Sequence, residues 1–127
     1  MENLRHGYGE ETFSDGSQYK GPYEHGMKEG EGVFKWSDGS KYVGGFSKNF
    51  MNGNGTYNWA DHRKYVGTWQ NNCMHGDGTF TWLDGRIYIG SYKDDKKHGY
   101  GEFTFSNGDI YKGDWEKGKR DGKGEIF

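Results

Sequence analysis

Aromatic rings and small residues alternate along this chain in short runs. Tyr65-x-Gly67-x-Trp69 places its rings and its glycine on one side of an extended strand, and Gly78-x-Phe80-x-Trp82 does the same shortly afterwards. Successive side chains of a strand point to opposite faces, so these runs predict half-buried β-strands. They recur every 23 residues without an insertion: Tyr19, Tyr42, Tyr65, Tyr88 and Tyr111 lead, each followed at alternate positions by glycine and then by Tyr23, Phe46, Trp69, Tyr92 or Trp115. A Gly-x-Gly pair comes next in each unit, from Gly30/Gly32 to Gly122/Gly124, with Gly7/Gly9 ahead of the first. Phe34/Trp36, Tyr57/Trp59, Phe80/Trp82 and Phe103/Phe105 then lead into Asp38-Gly39, Asp61-His62, Asp84-Gly85 and Asn107-Gly108. Self-similarity of this kind is the signature of a repeat architecture.

Each unit therefore holds two strands. Asp-Gly and Asn-Gly are strong tight-turn signals and are expected to join one unit to the next, while residues 24–29 and their equivalents form a looser link inside the unit. The predicted fold is all-β: an elongated, twisted, single-layer antiparallel meander of β-hairpins, with about eleven strands side by side. One domain, 1–127, divides into a leading half repeat at 5–18, complete repeats at 19–41, 42–64, 65–87 and 88–110, and a partial repeat at 111–127.

The glycine columns fall on the ring-bearing side of the strands, which predicts notches where neighbouring rings seat; a β-branched residue at Gly67 or Gly78 would overpack. The eighth position of each unit reads Gly26, Asn49, Asn72, Asp95 and Gly118, residue types that tolerate a left-handed backbone, so positive φ is expected there. His62 replaces the turn glycine in one unit and is also tolerant of that region.

Composition sharpens this picture. Phe, Tyr and Trp number 8, 10 and 5, and 24 of the 127 residues are glycine, while only 30% of the chain is hydrophobic. Mean hydropathy is -1.20. A disordered chain would be poor in rings, and an ordinary globule would need more aliphatic residues, so a thin ring-covered structure fits best. The lone Cys73 cannot form an internal disulfide, and no apolar run is long enough for a membrane helix. A cytoplasmic location is the default expectation. The net charge of -2 provides no general attraction to nucleic acid.

Tyr-x-Gly-x-Trp, a glycine pair and Asp-Gly at this period resemble the MORN (membrane occupation and recognition nexus) repeat, most closely in residues 65–87. The unit at 42–64 departs most, with Asn49 and His62 where glycine is usual. The resemblance implies a scaffold or anchor without catalysis, in cytoskeletal or ciliary assemblies, at membranes, or as the targeting part of a larger lipid kinase or methyltransferase. It also implies a capping helix that does not precede Phe127, an end expected to be covered by a partner or continued in a longer chain.

Other chemistry is weaker. His6, His75 and His98 share a repeat position, but equivalent positions lie two strands apart, about 9.5 Å, too far for one zinc. Residues 113–120 approach a phosphate loop yet lack its Ser/Thr and following helix. The turn aspartates read as amide caps, so no catalytic residue, metal or cofactor is expected. The candidate partner-binding residues are Trp36, Trp59, Tyr65, Trp69, Trp82, Tyr88 and Tyr92, forming a groove for a helical or extended segment of another protein. The alternative is an anionic membrane surface, phosphoinositides included, read by Lys96, Lys97, Lys117, Lys119 and Arg120. Self-association through open sheet edges is a further expectation.

Overall fold

The computed structural model describes residues 7–120 and 124–127. They form one open antiparallel sheet with no helix among them. The strands are β1 (Gly7–Thr12), β2 (Gln18–Glu24), β3 (Met27–Lys28), β4 (Gly30–Lys35), β5 (Lys41–Ser47), β6 (Phe50–Asn58), β7 (Lys64–Gln70), β8 (Cys73–Thr81), β9 (Ile87–Lys93), β10 (Lys96–Thr104), β11 (Ile110–Glu116), β12 (Lys119–Arg120) and β13 (Glu125–Ile126). Strands follow one another in sequence order across the sheet. Both β3 and β4 pair with β2, and both β12 and β13 pair with β11, so each couple is one interrupted rank and the thirteen strands stand in eleven ranks.

The two kinds of connection are the reverse of the expectation. Inside each repeat the link is a tight two-residue turn: Gln70 pairs with Cys73, and Asn71 and Asn72 both have positive φ, 49° and 69°. Two successive left-handed residues match the twist of paired strands, as in a type I′ turn. His25-Gly26, Lys48-Asn49, Asp94-Asp95 and Lys117-Gly118 follow the same pattern. The Asp-Gly links are the longer ones. Trp36 N–H donates to Ser40 O at 2.9 Å and Gly39 N–H to Trp36 O at 3.1 Å, enclosing three residues of which only Gly39 has positive φ. Asp38 contributes through its side chain, accepting from Ser40 N–H at 2.8 Å. The eighth-position expectation holds at all five residues, and His62 has φ 74°.

That column also joins the repeats. Asn72 Oδ1 accepts from Met51 N–H at 2.7 Å while Asn72 N–H donates to Met51 O at 3.0 Å, clasping the backbone of the preceding unit. Asn49 and Asp95 clasp Lys28 and Met74 in the same way. Gly118 keeps only the backbone half of the clasp, to Lys97 O at 2.9 Å.

The glycines divide into two classes. Gly67 and Gly78 pair across β7 and β8, and the Tyr65 ring lies over both, its hydroxyl donating to Thr68 O at 3.0 Å. A Cβ at Gly67 would stand 2.6 Å from the Asp77 carbonyl oxygen and from the Tyr65 hydroxyl. Tyr19, Tyr42, Tyr88 and Tyr111 occupy equivalent notches. Among the described residues the first glycine of the Gly-x-Gly pairs makes no notch, contrary to the expectation that all glycine columns would, and Gly122 lies outside the described residues. Gly53, Gly76 and Gly99 have φ of 84°, 86° and 81°, and they sit where the hairpin register slips. Residues 75–77 bulge opposite Thr68, whose hydroxyl caps the carbonyl of His75. Only glycine takes that backbone at little cost.

The aromatic face as candidate binding site

Most of the large rings stand on one face of the sheet, in two parallel ladders, while Tyr8 and Tyr100 point to the opposite face and Phe127 lies there against Lys112. The inner ladder alternates tyrosines with the fifth-position rings in edge-to-face contacts, for example Tyr42 to Trp69 at 5.5 Å, Trp69 to Tyr65 at 5.2 Å and Tyr65 to Tyr92 at 5.3 Å. These geometries suit the ring quadrupoles. Burial raises the hydroxyl pKa of Tyr19 and Tyr65 to about 12, and pushes those of Tyr42, Tyr88 and Tyr92 up as well.

The outer ladder is half-exposed except at Phe80 and Phe103, which are buried. It runs Phe13, Phe34, Trp36, Tyr57, Trp59, Phe80, Trp82, Phe103 and Phe105, with successive ring centroids between 4.4 and 5.7 Å apart. The seven expected contact residues divide accordingly. Trp36, Trp59 and Trp82 lie on the outer ladder, available to a partner. Tyr65 and Tyr88 are 0% exposed and Trp69 and Tyr92 are 5% exposed, so these four hold the sheet together and present no surface. Fifth-position rings look identical in sequence; what buries them is the edge contact to the tyrosine of the neighbouring repeat, a consequence of register.

Cations line this face. The Lys97 ammonium sits 5.4 to 5.5 Å from the ring centres of Trp82, Tyr88, Phe103 and Trp115, and burial lowers its pKa, with Arg86 adding to the effect. Lys28 stands over Phe13, Tyr19 and Phe34, and Arg120 over Phe105 and Tyr111. Lys97 and Arg120 are therefore part of the aromatic face and not of a solvated loop patch. Lys96, Lys117 and Lys119 are exposed, and Lys96 and Lys117 share a depression with Lys93, His98 and Asp94.

Lys28, Met51, Met74, Lys97 and Arg120 share one repeat position, a column that sequence reasoning passed over. Long, flexible side chains with apolar stems at every copy are the signal that marks it. Met51 and Met74, both 9% exposed, fill the middle of the face where the outer copies place cations. Arg63 and Arg86 were also missed. Their guanidinium groups stack on Trp59 and Trp82 at 5.2 and 4.9 Å, and each Nε donates to both oxygens of the turn aspartate, Asp61 or Asp84, holding that carboxyl below its usual pKa. Among the described residues no group of three or more His, Cys, Asp or Glu side chains could hold a metal ion.

A sheet of stacked hairpins with one ring-lined face defines a repeat-based binding module. The chain belongs to the MORN repeat family, whose sequence pattern matches residues 1–18, 19–41, 42–62, 65–85, 88–110 and 111–126. No curated protein matches the chain.

Proposed function

We propose that this module is a non-catalytic scaffold that binds an extended or helical segment of another protein along the outer aromatic ladder, in the setting of a cytoskeletal or ciliary assembly. The observation that carries the reading is the unbroken run of rings from Phe34 to Phe103, half-exposed at every member except the buried Phe80 and Phe103. Rings of this kind dominate binding hot spots. Lys28 at one end, Lys97 and Arg120 at the other and Arg63 and Arg86 along the loop edge favour acidic side chains at the margins of the partner, with apolar ones over Met51 and Met74.

A displayed library of amphipathic peptides selected against the immobilised protein tests this. Selected peptides should be acidic and apolar, and Trp59→Ser and Trp82→Ser should each weaken them about tenfold or more. Peptides indifferent to both changes would refute the groove. A second reading, a peripheral membrane adaptor, is favoured by the exposed cluster of Lys93, Lys96, His98 and Lys117. Salt-sensitive flotation with phosphoinositide-containing vesicles, lost in Lys96→Glu/Lys117→Glu, would establish that role in place of the first.

A further inference from the structure

The opposite face of the sheet carries its own pattern. Val33, Val43, Thr56, Val66, Thr79 and Ile89 pair one to the next across six consecutive ranks, forming a straight β-branched stripe. Val43, Val66 and Ile89 are 42%, 46% and 53% exposed. Nothing in the fold requires apolar residues there, because Lys20 and Lys112 occupy the same repeat position as Val43, Val66 and Ile89. At each end the stripe passes into an ion pair, Lys20 with Glu10 at 3.6 Å and Lys112 with Glu102 at 3.5 Å.

The order of those charges differs at the two ends. Glu10 lies outside Lys20 at one end, whereas Glu102 lies inside Lys112 at the other. We propose that the face binds a second copy of this chain, stacked back to back about a two-fold axis that runs parallel to the strands, between β6 and β7. That axis lays Val66 on Thr56, Val43 on Thr79 and Val33 on Ile89 of the other copy. It also sets Lys20 against Glu102 and Glu10 against Lys112, each contact made twice. In the adjoining row Lys64 meets Asn58 and Lys41 meets Thr81, so no like charges face each other.

Neighbouring registers fail on charge. An axis along β7 sets Lys20 on Lys112 and Lys64 on itself, and an axis along β6 sets Glu10 on Glu102. An axis perpendicular to the strands sets every charge on its own copy. Sheets stacked face to face pack about 10 Å apart through short side chains of this type, and β-branched residues fill that space well. The back-to-back dimer turns its two aromatic faces outward, so one particle holds two partner segments and gains avidity on a multivalent partner. The proposal concerns the face opposite the groove and does not depend on the groove's function.

Sedimentation equilibrium on the full chain over a range of concentrations, with thermal melting as a control of folding, tests it. The wild-type chain should be in monomer–dimer equilibrium. Val66→Lys, a change the repeat tolerates at two other copies, should weaken the dimer about a hundredfold, because it places a lysine beside the axis in a desolvated contact against Thr56 of the other copy. Exchanging Glu10→Lys with Lys20→Glu keeps the ion pair within the chain but opposes like charges between chains, and should weaken the dimer about tenfold. Adding Glu102→Lys with Lys112→Glu restores complementarity and should restore affinity. A chain that stays monomeric at millimolar concentration overturns the proposal. So does a dimer indifferent to Val66→Lys, which would point to edge pairing, or a four-site exchange no tighter than the two-site one.

Discussion

Gly78→Ala probes the notch on which the sheet is built. A Cβ at this position overlaps Cε1, Cζ and Oη of Tyr65. The ring has nowhere to go: it is 0% exposed, packs edge-on against Trp69 and Tyr92 at 5.2 and 5.3 Å, and is tethered to Thr68 O at 3.0 Å. Overpacking by one carbon costs about 1–3 kcal/mol, and levering the hydroxyl off its carbonyl leaves a covered polar group unpaired for a further ~1–3 kcal/mol. Replacing a strand glycine by alanine returns about 0.5–1 kcal/mol through the unfolded chain. The net loss should be roughly 1–5 kcal/mol, read from urea unfolding by tryptophan fluorescence. Gly85→Ala is the control, since it meets nothing within 4 Å and only its φ of +97° resists the change. It should cost about 1 kcal/mol. In a Tyr65→Ala background Gly78→Ala should become neutral or stabilising. A loss under about 0.5 kcal/mol, or the same loss with and without the Tyr65 ring, would refute the notch.

Other consequences are also measurable. Asn72→Gly keeps the left-handed turn but removes the acceptor for Met51 N–H, so it should cost about 1–3 kcal/mol. Asn72→Ala should cost about 1–2 kcal/mol more for the φ of 69°; no loss in Asn72→Gly would show that the clasp is idle. Tyr19 and Tyr65 ionise near pH 10 when unfolded and at about 12 when folded, so the unfolded chain sheds protons first. Their contribution is complete below pH 10 and is lost as pH rises through 12, so the unfolding midpoint should fall steeply in that window. Burial lowers the pKa of Lys28 and Lys97, which acts with the opposite sign below pH 10.5, and a midpoint that rises between pH 10 and 12 would refute the tyrosine assignment. Burial and Asp95 both raise the Cys73 thiol, so alkylation at pH 8 should be slower than for an unstructured cysteine peptide. Equal rates would show that the thiol is free of that environment.

The sheet was legible because its rules are local and repeated. Alternation in Tyr65-x-Gly67-x-Trp69 fixes which face the rings take, and Asn72 announces its own backbone conformation. What escaped was register. The three-residue loop at Asp38-Gly39 and the two-residue turn at Asn71-Asn72 contain similar residue types, and only the pairing of Gln70 with Cys73 tells them apart. The bulge at 75–77 was invisible for the same reason, so Gly76 and Gly78 read as one motif although one serves φ and the other makes room for Tyr65. The candidate site inherited this blindness. Whether Trp69 or Trp82 is covered depends on which ring of a neighbouring repeat reaches it, and that is set by inter-strand pairing rather than by the residue itself.

The repeats themselves separate what the fold demands from what it leaves free. Tyrosine at the first position and glycine at the third and fourteenth are invariant from copy to copy, and each is tied to the same notch. Lys28, Met51, Met74, Lys97 and Arg120 share a position at which the chain accepts charge or a thioether, and Lys20, Val43, Val66, Ile89 and Lys112 share another at which it accepts charge or a β-branched residue. The first column faces the rings, the second the opposite side. In each, apolar residues gather in the central repeats and charges at the ends, although the local backbone is the same throughout. A pattern that varies along the array while the backbone stays constant is not dictated by the backbone, and it is the pattern that the two proposed contacts, centred on the middle repeats and bounded by charge, require.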